Sequence, residues 1–354
     1  MTVHKRFLKI LSIALLLSLL FGCSVQRATD RPVFSSAVEL RDYLSDGMDA
    51  GILEFSFVYK VPKDLTAYQV SGITNAAYVD LRQEGNTYFI KLTEYPGDRI
   101  VDAWRSGDRT VLTNEENLAL DYSLDLLESW KSLSSDPWEI EYEIFNFLAR
   151  HITYTDSETN YYTAESIPRQ HTAIGALLDR QANCQGYTDA FYLLGTLAGL
   201  EVGRLSVETP DGGHILNTVC LEDQWYIVDV TFADADDGSP PSMYLFNAGM
   251  DRIREYTWPS QYELDPIAKE SNEYFYFLHE DAMFSDVEEA AAYIANTWNG
   301  YSGESIQIVL TNQTEDTVFS DALYDALMEL DLSFSYYYWY FTDGTDLYYI
   351  VYFE

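Results

Sequence analysis

The stretch that most constrains the fold is an apolar helix predicted to begin at a cysteine. The sequence Asn-Cys-Gln-Gly-Tyr at 183–187 is followed by apolar residues at the three- to four-residue spacing of a buried helical face. Cys184 therefore lies at the amino end of a core helix, where free backbone N–H groups and the helix dipole favour the thiolate. A cysteine before a helix is more often a small buried residue than a nucleophile, so its role depends on residues downstream.

A β-hairpin is predicted after this helix, with a turn and strand over 212–221 and a second strand over 224–232. A loop at Leu221 and Glu222 would place His214 opposite Asp229, with Cβ atoms about 5 Å apart. Asp229 would then hold the Nδ1–H of His214 and leave Nε2 to take the proton of Cys184. Because Asp229 lies between valines, an unpaired carboxylate there would cost several kcal/mol, and a histidine partner is expected.

The other histidines are weaker candidates for a catalytic base. Only His214 has a strand, a flanking glycine pair and a carboxylate across the hairpin. We expect the remaining four to lie in the amino-terminal segment, at a helix end, in a polar loop or in a linker: His4, His151, His171 and His279.

An oxyanion site is expected beside the thiol. The backbone N–H of Cys184 is one natural donor, and the second is left open among Gln185, Tyr154 and Thr172. Asp189, farther along the same helix, is predicted to face solvent.

These residues resemble the transglutaminase-like superfamily, whose triad is Cys, His and Asp in this order. The resemblance covers about 139–249 and rests on Cys184-Gln185-Gly186-Tyr187, Gly213-His214 with Asn217, Trp225-Tyr226 and Asp229-Val230-Thr231. It implies a papain-like α+β core, with Asn217 and Trp225 as candidates for supporting the triad or the oxyanion. Where the family usually has a His-Ala-Trp-Asn-like run this chain has His-Ile-Leu-Asn, and Phe232 stands where a tryptophan is usual. Both changes bear on pocket shape and substrate.

The amino terminus resembles a bacterial lipoprotein signal. Residues 1–22 combine three basic residues with an apolar run from Ile10 to Phe21 that is too short for an ordinary spanning helix, and Cys23 follows directly. We expect cleavage before Cys23 and lipid on its thiol and amino group, with an uncleaved anchor as the alternative. Either way the protein would be extracytoplasmic and anchored to the bacterial cell membrane, with 23–33 as a lipidated tether.

Charge narrows the range of partners. The formal net charge of −36 excludes nucleic acid as a partner, and an anionic membrane would repel the chain, so lipid rather than charge must hold it at a surface.

With Cys23 lipidated, Cys184 and Cys220 are the two remaining cysteines. We expect Cys220 to be a buried apolar residue, because a disulfide to Cys184 would silence the enzyme.

Three folded parts are expected: 34–112, 113–262 and 263–354. The first and last show the same order of helix, strand, helix and hairpin, with turns at Gly85-Asn86 and Asp343-Gly344. The fold class is therefore α+β, a papain-like core flanked by two small α-β-α-β-β modules, and the shared order predicts an internal duplication.

The predicted function is that of a surface-anchored cysteine enzyme that forms a thioester at Cys184 from an amide or peptide bond. Water as acceptor gives a peptidase or amidase, which we favour over amine cross-linking. No cofactor is expected, and the partner is a peptide or protein substrate, with cell-envelope proteins among the candidates.

The alternative is a non-catalytic binding lipoprotein, for which Tyr337, Trp339 and Phe341 are the aromatic set to test. Zinc held by the three triad residues is a weak third interpretation, since no paired ligand motif is present.

Overall fold

The computed structural model describes residues 31–60, 65–156, 163, 166–210, 212–234, 239–253, 273–313, 319–330 and 335–354. The predicted signal at 1–22 and Cys23 lie outside the described residues, as does most of the tether. Within the described part, no helix combines the length and apolar composition needed to cross a bilayer.

The amino-terminal module is a four-stranded sheet covered on one face by two helices. Its elements are β1 (Val33–Phe34), α1 (Ala37–Asp49), β2 (Glu54–Tyr59), α2 (Ala67–Thr74), β3 (Tyr78–Glu84) and β4 (Thr87–Thr93). The strand order is β1-β2-β4-β3, with β1 parallel to β2 and the other pairs antiparallel. Ser36 and Thr66 cap the two helices through their hydroxyl oxygens. Alternate residues of the strands pack on the helices and form a separate core.

The central part packs helices against an antiparallel sheet. Its elements are α3 (Pro96–Ser106), α4 (Asn114–Lys131), α5 (Pro137–His151), β5 (Thr153–Tyr154), β6 (Gln181–Ala182), α6 (Cys184–Ala198), β7 (Glu201–Thr209), β8 (Gly212–Leu221), β9 (Gln224–Val228), α7 (Val230–Ala233) and β10 (Phe246–Ala248). The sheet order is β10-β9-β8-β7, and α6 is buried along nearly its whole length between this sheet and the other helices. Helix α3 lies within 34–112, yet its buried residues belong to this central core.

The carboxy-terminal module repeats the topology of the first. Its elements are α8 (Tyr276–His279), β11 (Met283–Phe284), α9 (Val287–Thr297), β12 (Ser305–Leu310), α10 (Phe319–Met328), β13 (Tyr336–Asp343) and β14 (Asp346–Phe353). The sheet order β11-β12-β14-β13 matches β1-β2-β4-β3 strand for strand. Its core is continuous with that of the central part, unlike that of the amino-terminal module. The α+β class, with a helix-on-sheet core flanked by two small modules, is confirmed; each module also has a short first strand that the sequence pattern did not predict.

Candidate active site

Cys184 is the first residue of α6, and Asn183 caps the helix. The Asn183 side-chain oxygen accepts hydrogen bonds from the N–H groups of Gln185 at 3.1 Å and Gly186 at 3.2 Å. Cys184 is partly exposed, and its own N–H has no acceptor among the described residues. A Cβ on Gly186 would lie 2.3 Å from the carbonyl oxygen of Gln170, so only glycine lets this turn pack closely. The local sequence thus presents a thiol and a free N–H at one helix end.

His214 lies on β8 and connects Cys184 with Asp229. Its Nε2 is 2.8 Å from Asp229 Oδ2, and its ring is also hydrogen-bonded to the Cys184 side chain. Because Nε2 faces the carboxylate, Nδ1 is the nitrogen left for the thiol. The sequence-based prediction had the two nitrogens reversed.

The hairpin also differs in register from the prediction. Its loop is Glu222–Asp223, both with positive φ (48° and 64°), and Leu221 pairs with Gln224. Strand β9 ends at Val228 rather than at residue 232, so Asp229 does not lie opposite His214 within the ladder.

Asp229 instead caps α7. Its Oδ1 accepts the N–H of Phe232 at 3.1 Å, and its own N–H donates to the Leu245 carbonyl at 3.1 Å. These bonds fix the carboxylate from two sides while Oδ2 faces His214. The sequence predicted Asp229 to lie in a strand and to bind His214 alone. Its carboxylate binds His214 and also caps α7.

Electrostatics favour a charged imidazole. Burial lowers the pKa of His214, but the charge and hydrogen bond of Asp229, together with the hydrogen bond to Cys184, outweigh it and raise the pKa to about 10. The His214 side chain is 16% exposed and that of Asp229 only 1%, so solvent screens this pair weakly. At neutral pH the arrangement supports an imidazolium beside the sulfur.

Of the three candidates for the second oxyanion donor, Tyr154 has the best position. It lies on β5, which pairs with β6 directly before Cys184, and its N–H donates to Asp234 at 3.1 Å. Burial and then the charge of Cys184 raise the pKa of Tyr154 to about 12, so the two side chains interact electrostatically. That hydroxyl donates to Asp156 at 3.1 Å.

The side chains of the other two candidates also have partners, but these are a backbone carbonyl and a buried tyrosine, whereas the partner of Tyr154 is an exposed carboxylate. The Thr172 hydroxyl donates to the Arg169 carbonyl at 2.7 Å and accepts from Gly175 N–H. The Gln185 amide donates to the Tyr95 hydroxyl at 3.1 Å.

Asn217 and Trp225 do not reach the reacting atoms. The buried Asn217 amide donates to the carbonyls of Thr188 and Gly203, both at 3.1 Å, and so ties α6 to β7. Trp225 pairs with Cys220, six residues from His214 along β8, which corresponds to about 20 Å. Cys220 is partly exposed rather than buried, and it is a free thiol.

A buried ionic cluster behind α6 was missed in the sequence. Asp189 has no exposed surface, and its carboxylate accepts from Ala173 N–H, Gly97 N–H and Arg204, so the expectation that it faces solvent was wrong. Arg204 also binds both oxygens of Asp98. The available signal was Arg204 itself, a single cation in an otherwise apolar stretch of β7.

His171 was also predicted incorrectly. It is only 6% exposed, in a turn that packs beside α6, and burial lowers its pKa while a hydrogen bond with Gln185 raises it less. Among the described residues no group of three His, Cys, Asp or Glu side chains is arranged to hold a metal ion.

Two solved structures resemble this chain in part. A crystal structure of a TGase is 18% identical with a TM-score of 0.30, and the match covers 53% of this chain and 53% of that one. A protein from Cytophaga hutchinsonii, provisionally assigned as a cysteine protease, is 10% identical with a TM-score of 0.26, and the match covers 46% of this chain and 64% of that one. The chain therefore matches less than two thirds of either neighbour's length. No protein-family model and no curated protein matches the sequence.

Proposed function

We propose that this protein is a cysteine-dependent acyl-transfer enzyme that acts on amide or peptide bonds. The observation that carries the proposal is the hydrogen-bonded series of Cys184, His214 and Asp229, with the thiol at a helix amino end. A nucleophile, a base and a residue that orients the base are the three parts that thiol-based acyl transfer requires.

In the proposed mechanism, the Cys184 thiolate attacks the carbonyl carbon and the π electrons move onto the oxygen. The resulting oxyanion accepts hydrogen bonds from the Cys184 N–H and from the Tyr154 hydroxyl, whose proton turns to it from Asp156. When the tetrahedral intermediate collapses, the C–N bond breaks and the amine leaves with the proton from His214 Nδ1. A thioester remains on Cys184, and Asp229 keeps the imidazole oriented throughout.

The thioester is then resolved by an acceptor. In hydrolysis, His214 removes a proton from water, the hydroxide attacks the thioester carbonyl and the thiolate leaves. An amine acceptor would follow the same path and produce a cross-link. We favour hydrolysis because water is always present and no described feature is specific for an amine.

The proposed setting rests on sequence alone. Residues 1–23 support export and lipid attachment at Cys23, which would hold the enzyme on the outer side of a bacterial cell membrane. Peptides or proteins of the cell envelope are then the substrates within reach. Mass analysis of the mature amino terminus tests lipidation: Cys23 with lipid on its thiol and amino group is expected, and an intact Met1 would contradict it.

The decisive experiment measures alkylation of Cys184 by iodoacetamide from pH 4 to 9 in wild type and in His214→Ala. We expect Cys184 to react much faster in wild type than in His214→Ala, because an imidazolium beside the sulfur stabilises the thiolate. His151→Ala is the matched control, because this exposed histidine bonds only its own helix at Phe147. A Cys184 that reacts slowly, or equally in both variants, would exclude the triad and favour the non-catalytic binding lipoprotein.

A further inference from the structure

The two flanking modules can be compared residue by residue. Both end in a hairpin with a two-residue turn, in which Glu84 pairs with Thr87 and Asp343 pairs with Asp346. Counting from these turns, each position of β3 has one equivalent in β13, and each position of β4 has one in β14. On the sheet face away from the helices, the equivalent pairs are Tyr78 and Tyr337, Asp80 and Trp339, and Arg82 and Phe341.

Part of this face is used in the carboxy-terminal module to pack on the central core. The Gln307 side chain accepts from Met243 N–H at 3.0 Å and donates to the Pro241 carbonyl at 2.7 Å. Phe341 packs on Tyr244 with ring centroids 5.1 Å apart. The face is therefore already a binding surface for polypeptide backbone and aromatic rings at this end.

The other end of the same face remains aromatic where solvent reaches it. Tyr337 is 43% exposed and stacks on Trp339 at 5.8 Å. In β3 the equivalent face carries Asp80, Arg82 and Glu84, and Arg82 pairs with Glu84. Charges of this kind protect an edge strand from pairing with other chains.

Strand β13 lacks that protection. It is at the edge of its sheet, next to β14. The segment Trp339–Asp343 contains no Lys, Arg or Pro, and its first charge is Asp343 at the turn. Of two topologically equivalent edges, one carries charges and the other carries aromatic side chains, which makes the second edge the candidate for binding another chain.

The aromatic face leads towards the candidate active site. Phe341 contacts Tyr244, and Tyr244 contacts Phe232 at 5.6 Å. Phe232 is 44% exposed, and its N–H donates to Asp229. These contacts link the β13 face to the residue whose N–H binds the triad carboxylate.

We propose that β13 binds an extended segment of the polypeptide substrate as an additional strand, with substrate side chains packed on Trp339 and Phe341 and the chain continuing past Phe232 to Cys184. This inference rests on the proposed function. A polypeptide fits better than a rigid ligand, because the surface offers edge main-chain groups together with side-chain contacts at a two-residue period. It would make the carboxy-terminal module the part that selects unfolded or extended protein segments.

The test uses the full-length chain with Cys184→Ala and a fluorescein-labelled ten-residue peptide of alternating valine and threonine around one glutamine. Binding is measured by fluorescence anisotropy. Two further peptides are N-methylated at every second residue, one in each register. We expect one N-methylated register to bind at least about tenfold more weakly and the other to bind like the parent, because one edge of an added strand faces β13.

Trp339→Asp introduces the residue type of Asp80, the equivalent position in β3. We expect this change to weaken binding of the parent peptide by about tenfold. Tyr301→Asp is the control, since it makes the same type of change at a tyrosine of the same module that is 69% exposed and lies outside β13. The proposal is overturned if the parent peptide does not bind, if both N-methylated registers bind like the parent, or if the two Asp variants bind equally. Sedimentation velocity tests the alternative that β13 pairs with a second copy of this chain. A wild-type dimer that dissociates in Trp339→Asp would overturn the proposal in favour of that alternative.

Iodoacetamide alkylation of Cys184 separates this proposal from the proposed function. Trp339→Asp with Cys184 intact should react at the wild-type rate, because the triad does not include β13. If Trp339→Asp shows normal alkylation and unchanged peptide binding, the proposal that β13 binds substrate is rejected and the proposed function is not affected. If wild type and His214→Ala are alkylated at the same rate, the proposed function itself is rejected.

Discussion

Asn247 donates a hydrogen bond to Glu141, with 3.2 Å between Nδ2 and Oε2, at a site where neither residue is exposed. Glu141 Oε1 and Asn247 Oδ1 are also buried and have no hydrogen-bond partner among the described residues. A proton on Glu141 Oε1 would give the Asn247 oxygen a donor. Burial raises the pKa of Glu141 to about 8, although the Asn247 bond opposes this, so the carboxyl is neutral at pH 7.

We therefore predict that the protein loses stability as pH rises. The pKa of Glu141 is higher in the folded than in the unfolded state, so the folded state holds more protons and stability falls from about pH 4.5 to pH 8. Glu141→Gln keeps the amide pairing without the proton and should flatten this slope, by about 3 kcal/mol between pH 5 and 8. Urea unfolding across this range measures it, with exposed Glu139→Gln as control. Parallel pH curves for wild type and Glu141→Gln would contradict the prediction.

A second prediction concerns Arg204, which lies between the rings of Tyr95 and Tyr192, with its guanidinium carbon 4.6 Å and 3.8 Å from their centroids. Arg204→Met leaves Asp98 and Asp189 without their shared cation, and we expect a loss of about 3–5 kcal/mol in the free energy of unfolding. Arg41→Met removes a cation whose partner Asp42 is 62% exposed and should cost less than about 1 kcal/mol. Denaturant unfolding at pH 7 compares them, and similar losses would show that the cluster does not stabilise the fold.

A third prediction concerns the glycine after the nucleophile. In Gly186→Ala the added methyl group meets the Gln170 carbonyl, which belongs to backbone and cannot rotate away. We expect a cost of about 1–3 kcal/mol and a slower reaction of Cys184 with iodoacetamide, because the helix end must move. Gly72→Ala is the control: its methyl group would be 3.6 Å from the Ser206 Cβ, an ordinary contact. Equal stability and equal alkylation of the two variants would refute the clash.

The sequence predicted the residues of the candidate site better than their geometry. Cys184, His214 and Asp229 lie together as expected, but His214 and Asp229 meet through the helix cap at Asp229 and not through the cross-strand pairing that was predicted. The hairpin loop lies one residue later than predicted, which shifts every cross-strand partner by two residues, because the left-handed backbone at Glu222 and Asp223 depends on turn geometry that these residue types do not require.

Burial of charged residues was harder to predict. Asp189 looks like an exposed helical residue until Arg204 from β7 and Gly97 from α3 meet it, and those contacts join positions that are far apart in the chain. His171 was misjudged for the same reason, since only the packing of its turn beside α6 buries it. Period-two alternation correctly separated the two faces of β13. It did not predict which part of a face packs on the core.

The final prediction separates the Tyr154 hydroxyl from the thiol. If Tyr154 stabilises the oxyanion, Tyr154→Phe should lower kcat/KM for a peptide amide by about 10²–10³. Alkylation of Cys184 forms no oxyanion and should be nearly unchanged. Because the pKa of Tyr154 is raised to about 12, its proton is present throughout the neutral range and the defect should not depend on pH between 6 and 9. Tyr293→Phe, whose hydroxyl donates to the Glu280 carbonyl, is the control. A Tyr154→Phe enzyme with wild-type kcat/KM would remove Tyr154 from the mechanism, whereas equal losses in both reactions would assign it to positioning the thiol.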